Sequence, residues 1–241
     1  METSIYVSLS GQLALQRRLE TIANNIANAS TPGFRAESVT FDSVLSRQQQ
    51  TSVTYSSTGT NSFSANSGPV VQTGNPTDVA IQGDALLGVA TPSGTIYTRD
   101  GRMQLSPTGG LTTMNGLSVL DSGGAPVQVN AARGPIQIAR NGTISQNGDK
   151  IGTLGLFRAP PGSKFVRYEG AGLIPDKPVE PVVDFSGTGV IQGYIENSNV
   201  NPILEMTRLM SVQRTFEAIS SSIEKLDQKM SDSIRTLGSG R

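Results

Sequence analysis

Seven apolar residues toward one end of the chain, Leu209, Val212, Phe216, Ile219, Ile223, Leu226 and Met230, follow one another at steps of 3, 4, 3, 4, 3 and 4. No strand accommodates that spacing, because side chains on a strand change face at every residue. On an α-helix it gathers all seven into one heptad seam. Asn201-Pro202 supplies an N-cap and a proline at the first helical position, and Gly238 closes the far end. At 1.5 Å per residue, Pro202 to Leu237 predicts a helix of roughly 54 Å. A stripe this narrow, with Ser, Thr, Arg and Glu on the other face, needs a partner.

A second stripe lies near the other end, where Leu15, Leu19, Ile22 and Ile26 step by 4, 3 and 4 and Ile5, Leu9 and Leu13 extend it upstream. Thr31-Pro32-Gly33 ends this helix, since a proline pushes the residue before it out of the helical region. Two arrangements satisfy both seams: a hairpin of the two helices within one chain, or packing between copies. Between the helices Gly and Pro are dense. Arg47 to Gly68 is polar, nearly uncharged and without period, and reads as an extended linker. Beyond Val70, short apolar runs alternate with turn pairs such as Asp100-Gly101, Asn115-Gly116, Asn141-Gly142 and Asn147-Gly148. Asn-Gly and Asp-Gly favour tight hairpins, which predicts a mainly antiparallel β domain. Its expected strands include Asp78 to Ile81, Thr95 to Thr98, Leu117 to Leu120, Pro135 to Ile138, Thr143 to Ser145 and Leu154 to Phe157. The expected class is α+β, with long N- and C-terminal helices forming a coiled-coil layer around the central β domain. The expected division is a helix and turn over 1–35, a linker over 36–69, the β domain over 70–197 and the heptad helix over 198–241.

Composition narrows the chemistry. The chain of 241 residues has no His, Cys or Trp, which removes Ser-His-Asp and Cys-His catalysis, imidazole or thiolate zinc sites and disulfides. With 19 Lys and Arg against 19 Asp and Glu, no net charge attracts nucleic acid or an anionic membrane. The start lacks a basic region followed by an apolar run, so no cleaved secretory signal is expected, and no apolar stretch is long enough to insert in a membrane. The remaining catalytic route is a carboxylate pair among Glu169, Asp176, Glu180 and Asp184, but three prolines in that stretch favour an extended surface connection. No catalytic residue, metal site or cofactor is expected.

Ala23-Asn24-Asn25-Ile26-Ala27-Asn28, followed by Thr31-Pro32-Gly33-Phe34-Arg35, resembles the N-terminal signature of the bacterial flagellar rod and hook family. Glu196-Asn197-Ser198-Asn199-Val200-Asn201, then Glu205-Met206 and Gln213-Arg214-Thr215-Phe216-Glu217, is similar to the family's C-terminal motif. Ile81-Gln82-Gly83-Asp84 and Tyr97-Thr98-Arg99-Asp100-Gly101 match the longer members that carry a β domain. After Asp84 the family usually continues Gly-Phe-Phe, whereas this chain has Ala85-Leu86-Leu87, so the local turn and aromatic packing are not carried over. Length leaves two members, one of the proximal rod and the distal rod protein FlgG. Pro32 and the Phe216-Glu217 pair match the proximal one.

The resemblance implies a structural subunit of the periplasmic rod that transmits torque, exported through the flagellar type III apparatus without a cleaved signal. Its implied partners are further copies of itself, the proximal subunits FlgB and FlgC, and FlgG. The assembly interface expected on this reading comprises the two seams together with Asn24, Asn25, Asn28, Pro32, Gly33 and Phe34. The asparagines can hydrogen-bond across an interface, turn the chain before Pro32 or simply end the helix. Two other classes fit parts of the pattern. A β-rich adhesin or tail-like protein would place its heptads in a parallel trimer, and a cell-wall hydrolase would need two facing acids in a cleft.

Overall fold

The computed structural model describes residues 2–48, 51–56, 59–130 and 133–238. Contacts divide the chain into two compact units, each assembled from separate stretches of sequence.

The first unit comprises Met1–Ala27, Glu37–Phe63 and Asn201–Arg241. It holds helices α1 (Glu2–Ala27) and α2 (Pro202–Gly238) and strands β1 (Glu37–Thr40), β2 (Ser43–Gln48), β3 (Thr51–Ser56) and β4 (Thr60–Phe63). β1 pairs with β4 and β2 with β3, both antiparallel. α1 and α2 run antiparallel, since Asn25 meets Glu205 at one end and the Gln12 amide donates to the Ser220 hydroxyl at the other. Ile22 and Val212 are buried on this contact. Leu15, Leu19, Ile26, Leu209, Phe216, Ile219 and Ile223 are half-buried, and the side chains of Leu226 and Met230 lie outside the described residues. α2 starts as its sequence directs, with Asn201 Oδ1 accepting from the N–H groups of Ile203 and Leu204 at 3.1 and 3.2 Å.

The second unit comprises Asn28–Ala36 and Ser64–Val200. Its strands are β5 (Val70–Gln72), β6 (Val79–Gln82), β7 (Leu86–Thr91), β8 (Gly94–Thr98), β9 (Met103–Leu105), β10 (Leu111–Thr113), β11 (Ile136–Ile138), β12 (Thr143–Gln146), β13 (Asp149–Thr153), β14 (Leu156–Arg158), β15 (Phe165–Tyr168), β16 (Gly172–Pro175), β17 (Glu180–Pro181), β18 (Gly189–Gln192) and β19 (Tyr194–Glu196). A six-stranded sheet in the order β15-β16-β8-β7-β14-β17 is accompanied by the β11-β12-β13 meander and three two-stranded ladders. All the described ladders are antiparallel. One core runs beneath these sheets and includes Val79, Ile81, Leu87, Met103, Ile144 and Leu156. Asn147-Gly148 turns β12 into β13 with φ of 50° and 88°, the left-handed pair that an Asn-Gly hairpin requires.

The expected class needs correction. The chain is mainly β, with two helices against nineteen described strands in seven sheets, and the helices form no coiled-coil layer of their own. α1 and α2 pair with each other inside a unit that also contains β1 to β4. Steps of 3 and 4 specify a helix face that needs a partner but are silent on which partner, and here it is the other helix of the same chain. Strands β1 to β4 all fall within 36–69, the segment read as a linker. The Ser- and Thr-rich segments there pair by backbone hydrogen bonds, which hydrophobic periodicity does not reveal. Leu117 to Leu120, expected as a strand, contributes isolated bridges such as Val89 to Val119.

Candidate functional site: the motif clasp

Among the described residues no helix is long and apolar enough to cross a membrane, and no group of three His, Cys, Asp or Glu could hold a metal ion. Glu169, Asp176, Glu180 and Asp184 are all exposed. The Ser186 backbone N–H and hydroxyl both donate to Asp184 and hold its carboxyl below the usual range, the reverse of what a general acid needs.

The quoted motifs of the second unit instead meet around Glu196. Arg99, at the end of β8, is 1 % exposed. Its Nε donates to Glu196 Oε2 at 2.7 Å, its Nη1 to the carbonyls of Gly83 and Ala85 at 2.6 and 2.9 Å, and its Nη2 to the Ile81 carbonyl at 2.6 Å. Only a planar fork satisfies an acid and three carbonyls together, so a lysine does not replace it. Glu196 Oε1 accepts from the Gly68 N–H at 3.0 Å and lies 3.6 Å from Arg35 Nη2. Arg35 also donates to the carbonyls of Ser64 and Ala65, while its Nε is buried without a partner. Burial and the neighbouring Arg99 lower its pKa, and Glu196 and Asp84 partly offset them.

Three stretches of chain run side by side here. Gly33 N–H donates to Glu196 O at 2.7 Å, Ser64 N–H to Ala36 O at 2.8 Å and Asn197 N–H to Pro69 O at 2.9 Å. Asn199 bridges two of them, accepting from Ala36 N–H at 2.7 Å and donating to Asn66 O at 2.6 Å. Gly33 has φ of 70°, and a Cβ there would land on backbone atoms of Arg99 and Asp100. Pro32 is buried beside it. Phe34 is 1 % exposed, with the Arg167 guanidinium 4.1 Å from its ring centre and Arg167 Nη2 donating to Arg35 O. The cover on this ring comes from Arg167 on β15.

The three asparagines separate. Asn28 turns the chain, its carbonyl and Oδ1 accepting from Thr31 N–H and Oγ1, both at 3.1 Å. In the first unit, Asn25 is buried and pairs with Glu37 as a backbone would, accepting from its N–H at 2.9 Å and donating to its carbonyl at 2.8 Å. Asn25 also approaches Glu205 Oε2 at 3.4 Å, and Glu205 Oε1 accepts from Arg208 at 2.6 Å. Asn24 is exposed. Sequence reasoning quoted Arg35, Arg99, Glu196 and Asn199 only as parts of motifs. No local signal picked out the pair, since Arg99 stands between Thr98 and Asp100 and Glu196 is followed by Asn197-Ser198-Asn199.

Comparison with known proteins gives the family of the chain. Residues 5–35 match the family described as flagella basal body rod protein, 80–146 the flagellar hook protein FlgE/F/G D1 domain, and 191–236 the flagellar basal body rod FlgEFG protein C-terminal. The chain is 46 % identical over 239 residues to the flagellar basal-body rod protein FlgF of Mesorhizobium japonicum, covering 99 % of each. It is 44 % identical over 241 residues to FlgF of Rhizobium meliloti, covering 100 % of each. The chain belongs to the FlgF family of flagellar basal-body rod proteins. FlgG of Bacillus subtilis is 31 % identical over 261 residues, with 95 % of this chain and 96 % of that one covered. Membership in the FlgF family places the chain in the flagellar basal body.

Proposed function

We propose that this chain is a non-catalytic structural subunit of the proximal rod, which packs against further copies of itself and against FlgB, FlgC and FlgG and transmits torque across the periplasm. It reaches that position through the flagellar type III apparatus, without a cleaved signal. The observation that supports the reading is an apolar face left open on the helices. Ile203, Met206 and Met210 step by 3 and 4 along α2 and are 77, 51 and 52 % exposed, and Leu9 and Leu13 on α1 are 45 and 59 % exposed. Residues of this kind in water mark a surface that meets another protein. The half-buried seam residues, Leu15, Leu19, Ile26, Leu209, Phe216, Ile219 and Ile223, would complete their burial in the assembly. Deleting the gene tests the reading: cells should lack hooks, regain them on complementation, and yield basal bodies in which mass spectrometry detects this chain. Normal hooks in the deletion strain would refute it.

A further inference from the structure

We infer that the braid around Glu196 is a mechanical clasp, the place where the β unit withstands pull delivered along the backbone. The chain passes between its two units four times, at 27/28, 36/37, 63/64 and 200/201. Ala36, Ser64 and Val200 are the last residues of the β unit at three of these crossings, and Asn28 at the fourth opens the turn that leads to Gly33. Force carried by the backbone therefore enters or leaves through the same three stretches that are hydrogen-bonded side by side. Had each crossing been a separate strand end, bonds would open one after another. Joined as they are, the stretches load together.

Glu196 ties them. Its backbone carbonyl accepts from Gly33, one carboxylate oxygen faces Gly68 and Arg35, and the other is held by Arg99, which is itself anchored on the carbonyls of Ile81, Gly83 and Ala85. The charge on Glu196 thus joins all three stretches to the core strand β6 and its following turn. Glu196→Gln keeps the shape and one acceptor but leaves the buried Arg99 and the half-buried Arg35 without that anion.

The clasp would serve torque transmission only if the proposed function holds, but its mechanics can be measured on the full-length chain alone. Because the sequence has no cysteine, handles can be attached to single introduced thiols. With handles at Ser122→Cys in the β unit and Ser222→Cys on α2, the load crosses the braid. Here Glu196→Gln should raise the rupture rate of the β unit at fixed force by about a hundredfold, the scale for a buried ion pair stripped of one partner. With handles at Ser122→Cys and Glu169→Cys, both inside the β unit, the same substitution should change the rate by no more than about threefold, as for a site remote from the loaded bonds. An equal change in both geometries would make Glu196 an ordinary core residue, and no change in the first would leave the braid without mechanical weight. Either result overturns the clasp. Absence of the chain from basal bodies would count against the proposed function and leave the force result standing.

Discussion

Asn25 and Gly33 fix the path of the chain with very little side chain. Asn25 uses both donors and its acceptor on Glu37 and Glu205, and no other side chain of that length donates and accepts in the same place. Asn25→Ala strands the Glu37 peptide groups and should cost about 1–3 kcal/mol in urea unfolding, whereas Asn24→Ala, at an exposed position, should stay within about 0.5 kcal/mol. Gly33→Val forces a β-branched residue into left-handed geometry against the backbone of Arg99 and Asp100. It should prevent the β unit from reaching its native near-UV circular dichroism. Burial raises the Tyr97 hydroxyl above its ordinary value of 10.0. A folded-state pKa raised above the unfolded one contributes stability that is complete below the unfolded value and is lost as pH rises through the folded value. Stability should therefore fall above pH 10, and Tyr97→Phe should remove that part of the fall in a pH series of denaturation midpoints.

For each helix, the same apolar periodicity serves two surfaces. Val212 is buried against α1, while Ile203, Met206 and Met210 point away from that contact and are exposed. Val212→Asp sets a carboxylate in an apolar contact and should destabilise the helical unit by on the order of 3 kcal/mol, whereas Ile203→Asp should leave the isolated chain within about 0.5 kcal/mol of wild type by thermal melting. The helices themselves were legible, because a 3.6-residue period, an Asn-Pro start and a Pro-Gly stop are local signals. The Asn147-Gly148 hairpin was legible for the same reason. Strands β1 to β4 were not, since ladders between polar segments leave no apolar alternation to read. The pairing of α1 with α2 stayed open as well, because a seam does not name its partner. Of the clasp, the sequence offered motifs and not geometry: Arg99 and Glu196 lie 97 residues apart, and only the fold brings their charges together.

At the scale of the whole molecule, the matches cover both ends and the middle of the chain, and the structure gives those regions different tasks. The β unit gathers the entering and leaving stretches into one buried network, and the helical unit presents apolar side chains that the chain itself does not cover. A subunit built this way leaves apolar side chains of its helices uncovered, which suits a protein that assembles with other rod proteins. The most direct test is to count hook-basal bodies, by electron microscopy, from cells whose only copy of the gene carries Ile203→Asp together with Met206→Asp, while following secretion of the subunit. The account predicts a folded, exported subunit and no basal bodies bearing hooks. Hook-basal bodies in wild-type numbers would contradict it.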